Sequence, residues 1–398
     1  MFTESWDALI PLDHPVRGLR SLLESLDLSF LESLYDVKGG IAYDPRKMLG
    51  VVLYGIGDGV RSSRQLEEHC RFDNRYRFLM EGQTPDDRTF GRFLERLTED
   101  PETLLHRIME FAQARITLRA VSADGTKLRA SVSRYAVKAK GAVVAVTDAD
   151  CRVMKDRSGY FHGYNCQLAV DADSELIVGA ELTQSQSDWH ELETLLDSVE
   201  SLTGRVPETV VADSGYETAS NAALCEARDV TSVLNPHPSL WTGWSVSEAG
   251  EVVCPVGEPL VAKGVRPTGA LRLYRRFRIA GCPRCALKSA CLPEKARYRF
   301  LYLPDGVDPA SRIRNLHRAR SDAGALLLQR RARVAETPHA QLKHNDGLRQ
   351  FQRRGLAKAR VEFLLWVASY NLRKLLRQLL WLLESLLRAQ NTLRTERN

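Results

Sequence analysis

At 398 residues, 44% hydrophobic and 27% charged, the chain has the length of about two to three domains and the make-up of a folded protein. No apolar run reaches the roughly 18–20 residues that span a bilayer, and the opening MFTESWDALIPLDHP has no basic stretch leading into an apolar one, so a globular, cytoplasmic chain is expected and a secreted, membrane-bound or disordered one is not. The net charge of +6 is segregated: Ser311–Asn398 holds 19 Lys/Arg against 6 Asp/Glu, which fits a polyanionic partner such as nucleic acid as well as it fits a solvated helix surface.

Residues 1–112 read as helices. Met48, Leu49, Val52 and Ile56 recur at helical spacing, a short helix is expected from Ser63 to about Arg71, and a clearer one runs from Asp86 to Leu97. Pro85 and Asp86 signal its start; Phe90, Phe93, Leu94 and Leu97 share one face, and Arg88, Arg92 and Arg96 make a second, basic stripe. Two short helices with a basic face fit a helix-turn-helix-like DNA-binding region, and a helical bundle with solvated arginines gives the same pattern.

The period changes near Ile116. A strand is expected to end at Asp124, and YNCQLAV and LIVGAEL form a hairpin around DADSE. A helix spans about Asp188–Leu202 with Asp188 as its N-cap, and ETVVADSGY is a strand ending at Asp213. A helix at about Ala219–Arg228 and a strand, TSVLN, complete residues 113–236 as a mixed sheet flanked by helices. A β-rich segment with four cysteines follows at 237–296. Residues 297–360 return to the core through the strand YRFLYL and a basic helix, and 361–398 form a leucine-rich helix.

Asp124 and Asp213 each close an apolar strand, where side chains are held firmly and loops leave room for a substrate. Glu336 stands on the basic helix, with Lys343 two turns further along and expected on the same face. Each aspartate alone reads as readily as a turn former. Together, two Asp and one Glu suit Mg²⁺, which takes hard oxygen ligands and keeps positions open for phosphate oxygens. Two such ions roughly 3.5–4 Å apart can stabilise both oxygens of an in-line displacement, and basic residues nearby can hold a DNA backbone.

The runs ADGTKLRA, GYNCQLAVD, VVADSGYET and AETPHAQLK, followed by RGLAKARVE and NLRKL, resemble the bacterial insertion-sequence transposases of the DDE type across nearly the whole chain. The resemblance implies an α/β fold: a ribonuclease-H-like mixed sheet flanked by helices, with a helical N-terminal domain and the β-rich, cysteine-containing segment inserted before the last catalytic helix. It implies a catalytic triad of Asp124, Asp213 and Glu336 holding two Mg²⁺ (or Mn²⁺) ions. It also implies strand cleavage and strand transfer at the ends of an insertion sequence, on double-stranded DNA and as a homodimer. Lys343, Lys127, Arg331, Arg333 and Arg349 are then candidates for phosphate contacts, beside Arg88, Arg92 and Arg96. Related transposases often carry a Tyr and an Arg seven and four residues before the glutamate; here Gln329 and Ala332 stand there, with Arg331 and Arg333 flanking the second. A DNA-binding derivative without strand transfer and a hydrolysis-only nuclease are the alternatives.

Other acids read as structural: Glu362 beside a buried helix, and Asp148, Asp150, Asp171 and Asp173 in turns. In the insertion, Cys254, Cys282, Cys285 and Cys291 can make a structural tetrahedral Zn²⁺ site, with CPRC as its tight half, or remain free thiols. Cys70, Cys151, Cys166 and Cys225 read as small buried residues. His162, His190, His237, His339 and His344 show no paired metal spacing, and only His339 and His344 share the Glu336 helix. In the last helix Leu372, Leu375, Leu376, Leu379, Leu383 and Leu386 form a stripe that suits packing on the chain's own core or self-association.

Overall fold

The computed structural model describes residues 5–35, 43–132, 136–139, 142–156, 159–236, 243–268 and 272–395. Its N-terminal part is helical: α1 Pro15–Ser25, α2 Phe30–Ser33, α3 Pro45–Gly57, α4 Ser63–Phe72, α5 Asn74–Met80, α6 Asp87–Arg96 and α7 Thr103–Ala112. Side-chain caps explain where these begin. Asp44 accepts from the Arg46 N–H ahead of α3, Ser62 and Gln65 exchange bonds in a capping box ahead of α4, and Asp86 accepts from the Thr89 N–H at 2.7 Å ahead of α6. Phe90 and Phe93 are buried, as their spacing predicts. Helix α5 was not legible in the sequence. It is only seven residues long, and Asp73 both closes α4 and caps α5, so the two run together as a pattern.

The sheet is built from β1 Val121–Arg129, β4 Arg152–Asp156, β5 Gly159–Asp171, β6 Ile177–Thr183, β7 Thr209–Ala212 and β8 Thr231–Leu234; β2 Ala136–Ala139 and β3 Ala142–Ala145 pair with each other apart from it. Strand β5 pairs antiparallel with β1 on one side and with β4 and β6 on the other, while β1, β7 and β8 run parallel. The parallel steps are joined by α8 Leu192–Thr203 and α9 Ala219–Ala227. An antiparallel trio continued by two parallel strands, in the order β6-β5-β1-β7-β8, is a ribonuclease-H-like sheet.

The insertion holds β9 Ser245–Val246, β10 Val252–Val253, β11 Leu260–Thr268, β12 Arg272–Ile279, the short α10 Lys288–Cys291 and β13 Phe300–Pro304. Strand β13 pairs with β12, so YRFLYL completes the insertion's own three-stranded sheet. Helices α11 Pro309–Arg320, α12 Asp322–Ala340 and α13 Leu356–Thr395 follow, with a π-helical turn at Gln341–Asn345 between the last two.

One apolar cluster runs from the N-terminal helices (Phe90, Phe93) through the sheet (Val121, Leu168, Val178) to α13 (Phe363, Trp366, Leu372), whereas Trp244, Ile279, Leu292, Ile313 and Leu316 form a separate core in the insertion. The first half of the α13 stripe therefore packs on the chain's own core, with Leu372 and Leu375 buried, and Leu380, Trp381 and Leu382 are exposed. The side chains of Leu383 and Leu386 lie outside the described residues, as does His237.

Two asparagines tie helices to the outermost strands. Asn371 of α13 accepts from the Ile177 N–H at 2.9 Å and donates to the Ile177 carbonyl at 2.8 Å; Asn315 of α11 does the same for Leu234, at 2.8 and 3.0 Å. Each amide thus satisfies both main-chain groups of one strand residue. Asn371→Ala is expected to cost about 2–4 kcal/mol, because two buried backbone groups lose their partners. A lowered urea midpoint at unchanged slope would register it; an unmoved midpoint would not be compatible with this role.

Candidate active site

The parallel ladder between β1 and β7 ends at the pair Ala123 and Ala212. Asp124 and Asp213 are the next residues on these neighbouring strands, which in a sheet lie about 4.8 Å apart. The expectation that β1 stops at Asp124 is corrected: it continues to Arg129 on its pairing with β5, joined only at Arg129 by the segment around Gln350. Asp124 therefore sits where one neighbour has left and the sheet opens. Its Oδ1 accepts from the Gly125 N–H at 3.0 Å, and Asp213 Oδ1 accepts from the Gly215 N–H at 2.8 Å.

A third carboxylate joins them. Asp188 is not the cap of α8, whose N-cap is Glu191 without a side-chain bond. Its Oδ1 instead accepts from Asn165 Nδ2 at 2.8 Å and Gln167 Nε2 at 2.6 Å, two fully buried amides on one face of β5. The Tyr216 hydroxyl donates to Gln167 Oε1, which fixes the amide so that its nitrogen faces Asp188. Glycine is required at 125, since a Cβ there would lie 2.5 Å from both Asp188 Oδ1 and Gln167 Nε2. At Gly215 a Cβ would meet Asp213 Oδ1 at 3.0 Å and Asp188 Oδ2 at 3.3 Å.

The electrostatics follow from this crowding. Burial raises the Asp124 carboxyl to about 6; Arg331 opposes the shift, and Asp213 and Asp188 add to it. Burial, with Asp188, Asp124 and Asp213 nearby, holds the Tyr216 hydroxyl protonated and thus a donor.

Helix α12 faces the same acids. Arg331 Nη1 and His339 Nε2 stand 3.8 and 3.7 Å from Asp124 Oδ2, too far for hydrogen bonds. Among the described residues, Arg331 Nη1 and both His339 ring nitrogens are buried without hydrogen-bond partners. Burial takes His339 down to about 3, so its ring is neutral. Lys343 is half-buried; burial lowers its pKa, and Asp124 is among the negative charges it faces. Glu336, by contrast, is exposed. The expectation that Glu336 and Lys343 share a face gives way because the chain between them passes from α12 into the π-helical turn, which breaks the 3.6-residue period.

Of the other basic candidates, Arg88, Arg92, Arg333 and Arg349 are exposed. Lys127 is half-buried with its Nζ 3.5 Å from the Lys155 carbonyl, and Arg96 stacks 4.3 Å from the Tyr35 ring centroid. Glu362 is structural, accepting from the Gln352 and Arg353 N–H groups, with burial raising it to about 7. Asp148 accepts from the Tyr164 hydroxyl, and Asp171 from the Leu118 and Ser174 N–H groups. The four insertion cysteines stand apart from the acids and border a cavity of their own. Among the described residues no three His, Cys, Asp or Glu side chains form a group that could hold a metal ion as they stand, and no helix is long and apolar enough to cross a membrane.

Sequence reasoning missed Asp188, Asn165, Gln167 and Tyr216 as site residues. A signal was present: Asn165 and Gln167 are two polar residues at period two within the apolar YNCQLAV, hence on one face of a strand.

Two family models match in succession: "Transposase domain (DUF772)" over residues 4–96 and "Transposase DDE domain" over 253–376. Asp124 and Asp213 lie between the matched stretches, and Glu336 and Lys343 lie within the second. No curated protein matches the chain. Among solved structures, the chain is similar to a piggyBac transposase synaptic complex with hairpin DNA, at 10% identity and a TM-score of 0.35, covering 92% of this chain and 75% of that one. It is also similar to a pre-cleavage Mos1 transpososome, at 12% identity and a TM-score of 0.18, covering 51% and 62%. Two transposase domains that together take in more than half of the chain settle its kinship: it belongs to the DDE-type transposases.

Proposed function

We propose that this transposase cuts double-stranded DNA at the ends of its element and joins the freed 3′ ends to target DNA in a divalent-metal-dependent reaction. The observation that carries the reading is that Asp124 and Asp213 follow the last paired residues of the neighbouring strands β1 and β7, with Asp188 and Asp213 both near enough to act on the Asp124 charge. Mg²⁺ or Mn²⁺ suits this donor set. All its ligands are hard carboxylate oxygens, and the Oδ2 atoms of Asp124, Asp188 and Asp213 accept no hydrogen bond among the described residues. Asp124, Asp213 and Glu336 would hold two ions, Glu336 completing the set from its exposed place on α12, with Asp188 as an added ligand or as the group that positions the other two. Bound there, such ions supply an activated water and stabilise charge on the attacking and leaving oxygens.

The chain's own groups do the rest. Arg331 and Lys343 approach Asp124 from α12 and the π-helical turn and can hold a phosphate against the acids. His339, kept neutral, can donate one hydrogen bond to a phosphate oxygen or a water. Lys127, Arg333 and Arg349, and Arg88, Arg92 and Arg96 on α6, would contact the DNA backbone further out. A homodimer would bring one site to each element end, and the protein would act in the cytoplasm.

The test is a labelled duplex carrying element ends, incubated with the full chain with and without Mg²⁺. Metal-dependent nicking, and joining of pre-cut ends to a target, support the proposal. Binding without nicking identifies a DNA-binding derivative, and nicking without joining a nuclease. A pH dependence follows as well. Because the raised Asp124 carboxyl keeps its proton up to about pH 6 in the ion-free chain, an incoming ion must displace it. Mn²⁺ affinity is therefore expected to be level above about pH 7 and to fall up to about tenfold per unit below about pH 6. Calorimetric titrations giving equal affinities on both sides of that boundary would contradict the protonation assigned to Asp124.

A further inference from the structure

Among the described residues the insertion buries only a small apolar cluster of its own, yet four of the chain's eight cysteines lie within it, and they come from three separate stretches. Cys254 follows β10, Cys282 and Cys285 bracket a single 3₁₀ turn, and Cys291 ends α10. The fold brings all four to the wall of one cavity of about 40 Å³, closed by Trp244, Ile279, Leu287 and Leu292. That space suits a single ion or a water or two and is too small for an organic ligand. All four are free thiols.

Two basic side chains border the cavity, with one carboxylate, Glu258, beside them. Cys282 Sγ accepts a hydrogen bond from the Arg299 N–H at 3.4 Å, and Arg299 and Lys288 line the same cavity. Both Cys-Pro segments are tight turns: the Gly257 N–H donates to the Cys254 carbonyl at 2.8 Å, and the Cys285 N–H to the Cys282 carbonyl at 3.3 Å. Such turns hold the Cys254 and Cys282 sulfurs on a fixed backbone, both buried. The cavity lies between the β9–β10 hairpin on one side and the β12–α10 connection on the other, where Trp244, Val252, Ile279 and Leu292 pack beside it.

We propose that Cys254, Cys282, Cys285 and Cys291 form a structural tetrathiolate site for one Zn²⁺ ion, which clasps the insertion. As placed the thiols are not grouped closely enough to share an ion, and side-chain rotation into the cavity they already line would close the site. Each ligating thiol gives up its proton, and the doubly negative cluster that results is balanced by Arg299 and Lys288. The assignment does not depend on DNA cleavage.

The experiment measures zinc in the full chain purified without chelator. About one equivalent per chain is expected, falling below about 0.2 in Cys285→Ser and in Cys291→Ser, and unchanged in Cys225→Ser, whose thiol is buried in α9. Should a serine variant fail to fold, Co²⁺ loaded into the unaltered chain gives the visible bands of tetrahedral thiolate coordination. A zinc-free chain whose insertion thiols react freely in the folded state would overturn the proposal. So would a Cys282–Cys285 disulfide, zinc retained in both serine variants, or a Co²⁺ spectrum without thiolate bands.

Discussion

Asp213→Asn should abolish strand cleavage, by about 10³-fold or more, and leave DNA binding within about twofold. The substitution keeps the size of the side chain and its oxygen for the Gly215 N–H, so the turn after β7 persists. It removes the charge that a divalent ion requires. Gel-shift and nicking assays on the same preparations separate the two effects. Cleavage retained in Asp213→Asn would remove this residue from the chemistry, and lost binding would point to a structural role. Asp188→Asn is a useful companion. If Asp188 only positions its neighbours, the amide should keep much of the activity, since its oxygen can still accept from Asn165 and Gln167.

The largest stability effect is expected at Asp346. Its fully buried carboxylate accepts from Gln341 Nε2 at 2.8 Å, Trp366 Nε1 at 2.6 Å and Arg373 Nη1 and Nη2 at 2.9 and 2.5 Å, and its carbonyl accepts from Arg61. One residue thus joins the N-terminal helices, the π-helical turn that carries Lys343, and α13. Asp346→Ala would leave a half-buried guanidinium unpaired and the Trp366 N–H without an acceptor, at a cost of about 3–5 kcal/mol. Asp346→Asn, which keeps one acceptor oxygen, should lose less. Urea unfolding of both variants decides the matter, and a loss below about 1 kcal/mol for the alanine would show that the network is not central.

What could be read beforehand was local. Asp86 and the Phe90–Phe93 spacing announced α6 with nearly correct ends, and the alternation in YNCQLAV and LIVGAEL announced the β5–β6 hairpin. What failed was whatever a distant partner decides. The residues after Asp124 look like a turn, yet they stay extended because β5 pairs with them. Asp188 reads as a helix cap until β5 supplies two amides for it. Asp346 likewise carries no local mark of its role, and only the fold reveals the arginine and tryptophan that converge on it. Glu336 and Lys343 look like one stripe only if the helix is regular, and the π-helical turn comes from the Asp346 N–H reaching back to the Gln341 carbonyl.

The two asparagines that grip Ile177 and Leu234 also decide how copies of this protein can come together. A β-strand offered by another molecule would find a main-chain position on β6 and one on β8 already occupied, beneath α13 and α11. Polymerisation by strand addition, the usual hazard of an open sheet, is thereby hindered along β6 and β8. Any higher-order complex assembled around two DNA ends is left to use helices and loops, and the sheet that carries the acids need not deform to join it.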